Sequence, residues 1–118
     1  MIIFREFRFE AAHSLPRAPE GHKCRRLHGH SYRLIVHVRG DIDRDTGWVR
    51  DFADIKRGVE PIIDQLDHHF LNDIPGLEQS TVENLAVWLW PRLTAAVPGL
   101  VKIVLWETST SGCEYAGG

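Results

Sequence analysis

The stretch Cys24-Arg25-Arg26-Leu27-His28-Gly29-His30-Ser31-Tyr32-Arg33-Leu34-Ile35-Val36-His37-Val38-Arg39 alternates in character from His28 onward. His28, His30, Tyr32, Leu34, Val36 and Val38 fall on one face, with Arg33, His37 and Arg39 opposite. A period of two belongs to a half-buried β-strand, whose side chains at i and i+2 project from the same side. The two histidines that open this strand can therefore close on one ion, while the Cys24 thiol approaches from the loop before it.

Upstream, residues 3–13 alternate as well. Ile3, Phe7, Phe9, Ala11 and His13 share a face, with Arg5 the exception, and Glu6, Arg8 and Glu10 lie opposite. Residues 14–26, rich in proline, glycine and charge, read as a loop over the strand ends. If the two strands pair antiparallel, His13 at the end of one meets His28 and His30 at the start of the other. Three imidazoles with one open position are a common way to hold catalytic zinc, whereas structural zinc fills all four positions with protein ligands. Copper or nickel would fit the same donors. A cupin-type site would want a glutamate soon after the second histidine, and 31–36 contains none.

Downstream, Asp43-Arg44-Asp45-Thr46-Gly47 is a turn leading to a short expected strand, 48–50. A helix follows from about Asp51, with Phe52, Ile55, Val59, Ile62 and Leu66 on its apolar stripe, and Pro61 is expected to kink or split it. Residues 71–76 read as a loop. Ser80-Thr81-Val82-Glu83 has the spacing of a capping box with Ser80 at the cap, opening a second helix. Val82, Leu85, Ala86, Leu89 and Leu93 form its buried stripe, and Pro91 and Pro98 limit its end. A last strand, 101–108, sets Val101, Ile103, Leu105 and Glu107 on one face. This order predicts one α+β domain over 1–118, a four-stranded sheet with two helices packed on one face.

Composition narrows the function classes. Charged residues make up 25% and hydrophobic ones 43%, the proportions of a globular chain rather than a disordered one. A net charge of -2 argues against a nucleic-acid partner. Two cysteines, Cys24 and Cys113, allow one disulfide at most, and a chain with a real core does not need it. Early charge at Arg5 and Glu6 does not suit a secretory segment, and the longest apolar run, 85–90, is too short to cross a membrane. A reduced, cytoplasmic protein is expected.

Other groups carry chemistry. Lys23, Arg25 and Arg26 surround Cys24 with positive charge, the setting of reactive thiols. In Asp67-His68-His69 a carboxylate stands beside two imidazoles, a pattern that serves proton relays, although spacing does not say which histidine takes part. Glu107 ends an apolar strand face, where a carboxylate can accept paired hydrogen bonds from an amino-pyrimidinone edge. Thr108-Ser109-Thr110-Ser111-Gly112 beside it supplies hydroxyl and backbone donors, and Cys113 reads as structural.

Taken in order, Phe9-Glu10-Ala11-Ala12-His13, residues 24–32, Asp51-Phe52, Leu66-Asp67-His68-His69 and Trp106-Glu107-Thr108 resemble the 6-pyruvoyltetrahydropterin synthase superfamily. The gap between Cys24 and His28, the turn 45–48, the loop 69–76 and Gly112-Cys113 are similar to its bacterial 6-carboxytetrahydropterin synthases, of the queuosine and 7-deazapurine pathways. The resemblance implies a tunnelling fold (T-fold) whose subunits join sheets into a barrel, as a trimer or a dimer of trimers. Sites then lie at subunit interfaces, so the zinc ligands and Glu107 are expected to reach one pocket from different chains. It implies a zinc-dependent lyase that converts 7,8-dihydroneopterin triphosphate to 6-carboxy-5,6,7,8-tetrahydropterin, acetaldehyde and triphosphate. In that scheme His13, His28 and His30 hold zinc, Cys24 moves protons, Asp67 and His68 relay them, and Glu107 with Thr108 binds the pterin. Lys23, Arg25, Arg26 and Lys56 are candidates for the triphosphate. Ser80 departs from the proline that many relatives carry at the second helix entry. The alternatives are a pyruvoyl-forming synthase, which eliminates triphosphate without carbon–carbon cleavage, and a non-catalytic zinc or pterin-binding module.

Overall fold

The structure, a computed structural model, describes residues 1–118. β1 (Ile2–His13) and β2 (His28–Arg39) pair antiparallel along their full length, with His13 opposite His28 and Ala11 opposite His30. Their alternation is the one read from the sequence: Phe7, Phe9, Tyr32, Leu34, Val36 and Val38 are buried, whereas Glu6, Arg8 and Glu10 of β1 are exposed and Arg33, Ile35 and His37 of β2 half-buried. β4 (Leu100–Trp106) pairs antiparallel with β2 and buries Ile103 and Leu105 on the same side.

Two helices cover that side. α1 (Phe52–Asp64) starts at Asp51, whose carboxylate accepts the Ala53 N–H at 2.8 Å. It buries Ile55, Val59, Ile62 and Ile63. Phe52, expected on this stripe, is instead 48% exposed at the first turn of the helix. α2 (Val82–Ala96) buries Leu85, Ala86, Trp88, Leu89 and Leu93. Sheet and helices share one cluster of 22 buried apolar residues, each large side chain contributing about 1.5–3 kcal/mol relative to exposure. Gly58 lets the helices approach: a Cβ there would stand 2.7 Å from the Ala96 carbonyl oxygen.

Neither proline breaks its helix. α1 runs through Pro61, and α2 through Pro91 to Ala96. Both prolines are exposed, as are Arg57 and Val87 four residues earlier, so the carbonyls they leave unpaired face water. The α2 cap is Thr81, whose hydroxyl accepts the Asn84 N–H at 3.1 Å, rather than Ser80. Ser80 is buried one residue earlier and serves the candidate site instead.

The sheet has five strands, not four, in the order β3-β1-β2-β4-β5. Residues 48–50 form no strand. The Trp48 carbonyl is taken by the Asp43 N–H at 2.8 Å, so this segment closes on its own turn. Two short strands replace it. β3 (His69–Phe70) lies parallel to Ala11 and Ala12 of β1, and β5 (Gly112–Tyr115) pairs with β4. No helix is long and apolar enough to cross a membrane.

Candidate active site

The register of β1 and β2 brings three imidazoles to the same end of the sheet. Their ring centroids lie 4.6 Å (His13–His28), 5.1 Å (His13–His30) and 4.8 Å (His28–His30) apart. One nitrogen from each falls within 4.8 Å of the other two. Tetrahedral zinc with nitrogens at about 2.0–2.1 Å needs them somewhat closer, a movement within side-chain reach.

The backbone positions the outer nitrogens of two of the three rings. His13 Nδ1–H donates to the Ser80 carbonyl at 2.8 Å, and His28 Nδ1–H to the Arg26 carbonyl at 2.7 Å. These bonds select the tautomer that leaves Nε2 with its lone pair, the usual support of a metal-bound histidine. His13 Nε2 and His30 Nε2 are buried without a hydrogen-bond partner, which is costly for a protein that leaves them empty. Burial pushes the pKa of His13 down, opposed by the Ser80 bond and the Glu107 charge, and burial likewise lowers His30. Both rings are thereby kept neutral, as metal ligation requires. The three residues fit a metal ion.

Glu107 belongs to the same centre in the same chain. Its carboxylate oxygens lie 4.0 Å from His13 Nε2 and 3.9 Å from His30 Nε2, and its side chain is 23% exposed. The expectation that it arrives from another chain is thus corrected. It sits just past β4 because the β4–β5 hairpin turns there, with Glu107 N–H donating to the Ser111 carbonyl at 2.9 Å. Thr108 lies within that turn, its hydroxyl accepting the Thr110 N–H at 3.2 Å. Cys113 packs on α2, its thiol 3.7 Å from the Val82 carbonyl, and burial raises its pKa.

Cys24 sits on a 3-10 turn, Lys23–Arg25. The loop is pinned by Leu15 N–H to the Cys24 carbonyl at 2.8 Å and by Cys24 N–H to His22 Nδ1 at 3.0 Å. Cys24 shares a cavity of about 350 Å³ with Lys23, Arg26, Leu27, His28 and His30. Both cysteines are free. Arg25 is exposed and outside this lining, and Lys56 pairs with Glu60 on α1 at 3.5 Å and lines no cavity here.

Asp67 and His68 do form a pair, Oδ2 to Nδ1 at 3.0 Å, although adjacent residues seldom do. His68 has φ +59°, and this left-handed turn folds its ring back over the preceding carboxylate. β1 clamps the turn: Glu10 N–H donates to Asp67 Oδ1 at 2.8 Å, and His68 N–H donates to the Glu10 carbonyl. His69 instead turns its Nδ1 to the Asp67 backbone carbonyl at 2.8 Å. The histidine paired with the carboxylate is therefore His68. His68 of this pair lines a different cavity of about 490 Å³, with Glu10, Ser31 and Phe70 among its walls. Asp67 and His68 do not reach the Cys24 cavity, and only His30 borders both.

Two supporting residues escaped the sequence reading. Ser80 positions His13, and Asn72 ties the end of β1 to the loop before α2. Its amide donates to the carbonyls of Ser14 at 2.8 Å and Glu78 at 3.2 Å and accepts the Ser14 N–H at 3.0 Å. Ser80 had a competing local signal in its capping spacing, and nothing adjacent to Asn72 announces its partners.

A family model described as 6-pyruvoyl tetrahydropterin synthase matches residues 2–118. The chain is 48% identical over 120 residues to a Synechocystis protein named 6-carboxy-5,6,7,8-tetrahydropterin synthase, covering 97% of this chain and 92% of that one. It is 37% identical to a Pyrococcus furiosus protein named dihydroneopterin monophosphate aldolase, covering 96% and 94%. The solved Caenorhabditis elegans 6-pyruvoyl tetrahydropterin synthase superposes with a TM-score of 0.91 at 28% identity, over 100% of this chain and 96% of that one. The tunnelling fold expected from the motifs is the fold observed.

Proposed function

Because this chain belongs to the 6-pyruvoyl tetrahydropterin synthase family, we propose that it is a zinc-dependent carbon–carbon lyase of the 6-carboxytetrahydropterin type. Its substrates are 7,8-dihydroneopterin triphosphate and water, and its products are 6-carboxy-5,6,7,8-tetrahydropterin, acetaldehyde and triphosphate. The observation that carries this reading is Cys24 sharing a cavity with two of three convergent histidines, in a chain 48% identical to a protein of that name. The carboxylate product feeds 7-deazapurine synthesis, queuosine included. Cys24 works as a free thiol, which suits a reducing cytoplasm.

His13, His28 and His30 hold the ion, and zinc suits three neutral imidazoles with one open position. When bound, zinc supplies Lewis-acid chemistry, polarising the side-chain oxygens and acidifying neighbouring C–H bonds. Cys24 then takes and returns protons along the side chain. Glu107 accepts hydrogen bonds from the ring edge, with Thr108 beside it, and so fixes which carbon faces the thiol. The Asp67–His68 pair carries protons, with the carboxylate orienting the ring.

Because His68 of that pair lines a separate cavity, the pair serves the Cys24 centre of a neighbouring copy. The open edges of the sheet support such an assembly. β3 covers β1 only at Ala11 and Ala12, and β5 has no outer partner, so both edges offer unpaired backbone groups to another copy. A trimer, or two stacked, would satisfy them.

Metal-loaded protein incubated with dihydroneopterin triphosphate should release acetaldehyde, and chelation should abolish the release. Triphosphate without acetaldehyde would instead indicate the pyruvoyl-forming reaction. Pterin binding without turnover would indicate a binding module.

A further inference from the structure

The loop over the imidazole cluster carries an uncompensated positive charge. Residues 14–27 contain Arg17, Lys23, Arg25 and Arg26 against the single carboxylate of Glu20, in a chain of net charge -2. Outside the loop, half of the ten cations have a carboxylate partner: Arg8 and Arg33 pair with Glu6, Lys56 with Glu60, Arg57 with Asp54 and Lys102 with Glu114. None of the four loop cations has a carboxylate within ion-pair distance. Like charges crowded without counter-charge repel one another, and an arriving polyanion relieves that repulsion.

Two of the four point this field at the site, since Lys23 and Arg26 line the cavity that holds Cys24, His28 and His30. Their placement is rigid at its base. Arg26 N–H donates to the Lys23 carbonyl at 3.1 Å, and the Arg26 carbonyl receives His28 Nδ1–H at 2.7 Å. The backbone that carries the guanidinium is thus bonded directly to a metal-ligating side chain, which sets the distance between anion and reacting centre. Lysine supplies a mobile point charge and arginine a planar fork, a pair suited to a flexible phosphate chain.

We propose that Lys23 and Arg26 form a polyphosphate subsite at the mouth of the Cys24 cavity, selecting triphosphorylated over phosphate-free pterin. The proposal rests on the lyase reading for its substrate, and its chemistry, a linear polyphosphate, can be probed without it.

The test compares metal-loaded wild type with the Lys23→Gln/Arg26→Gln double variant, using inorganic tripolyphosphate, dihydroneopterin triphosphate and dihydroneopterin. Arg57→Gln, which removes a paired cation on α1, is the control and should match wild type. In the double variant, tripolyphosphate binding and the KM for the triphosphate substrate should each weaken by about tenfold or more, the scale of a lost charge-assisted hydrogen bond. The salt dependence of both should flatten. Dihydroneopterin affinity and metal content should stay unchanged. Equal tripolyphosphate binding in the two proteins would overturn the subsite. So would a parallel loss of dihydroneopterin affinity or of metal, which would mark a structural role. If wild type does not turn over dihydroneopterin triphosphate, the lyase reading fails. The tripolyphosphate comparison then still decides the subsite, a weakened double variant supporting it and equal binding overturning it.

Discussion

Cys24 and Glu107 stand beside the same imidazole cluster and differ in what they can do there. Cys24 ligates nothing in the triad, so Cys24→Ala should leave metal content intact while turnover falls by about 10²–10⁴-fold, the range for a lost general base. Metal analysis alongside a kinetic assay checks this, and unchanged turnover would remove the thiol from the chemistry. Glu107→Gln keeps the shape but loses the charge that accepts hydrogen bonds from the ring edge. Pterin affinity, read by fluorescence titration, should weaken by about 1.5–3 kcal/mol. An unaltered affinity would leave Glu107 only as a counter-charge to His13 and His30. All these residues were legible as residues, because imidazole, thiol and carboxylate are scarce and their spacing on alternating strands is informative. The supporting carbonyls of Ser80 and Arg26 were not, since every residue has one.

Elements differ in how far local pattern decides them. β1 and β2 are long and alternate cleanly, so their faces follow from period alone, while their antiparallel pairing, only a condition in the sequence, is settled by the register of the sheet. β3 has two residues and β5 four, too few for any period to register, and their pairing is a product of the packed sheet. The turn between α1 and β3 shows what such pairing accomplishes. Glu10 N–H holds the Asp67 carboxylate, and His68 pairs with it, so the Asp67 pKa lies below its ordinary value of 3.8. A carboxylate favoured in its charged form stabilises the fold fully above its unfolded pKa, and the contribution fades as pH falls through the lower folded value. Urea melts of wild type and Asp67→Asn should therefore differ most near neutrality and converge under acid, below about pH 4. A gap that stays constant with pH would remove the carboxylate from the stability of this turn. Asn72 acts likewise between elements, joining β1 to the approach of α2. Asn72→Ala strands the Ser14 N–H and should cost about 1–3 kcal/mol in denaturant melts. It should also loosen the metal, as loss of support behind His13 does elsewhere, and a variant equal to wild type in both would show the tie to be dispensable.

At the scale of the whole molecule, the Cys24 cavity and the His68 cavity are separate, with only His30 at the border of both. On the proposed reading, a relay that does not meet the thiol of its own chain serves the thiol of a second copy. Sedimentation should give a species larger than one chain. Mixing Cys24→Ala with His68→Ala under exchange should restore part of the activity, because some sites then combine an intact thiol with an intact relay. A monomer in sedimentation, or no recovery on mixing, would confine the chemistry to one chain and leave His68 outside it.

From composition and period alone came an α+β chain, two long alternating strands, two helices on one face and, given antiparallel pairing, three histidines at one end of the sheet. These are local or nearest-neighbour properties: alternation chooses the face, and the pairing of consecutive strands carries ligands together. Tertiary structure decided the fifth strand, the unbroken helices through Pro61 and Pro91, and the use of Ser80 on His13 instead of as a cap. It also chose His68 over His69 as partner of Asp67 and put Glu107 beside the imidazoles of its own chain. Each of these depends on which backbone group lies opposite, or on which carbonyl faces water, and such contacts arise only once distant segments have packed.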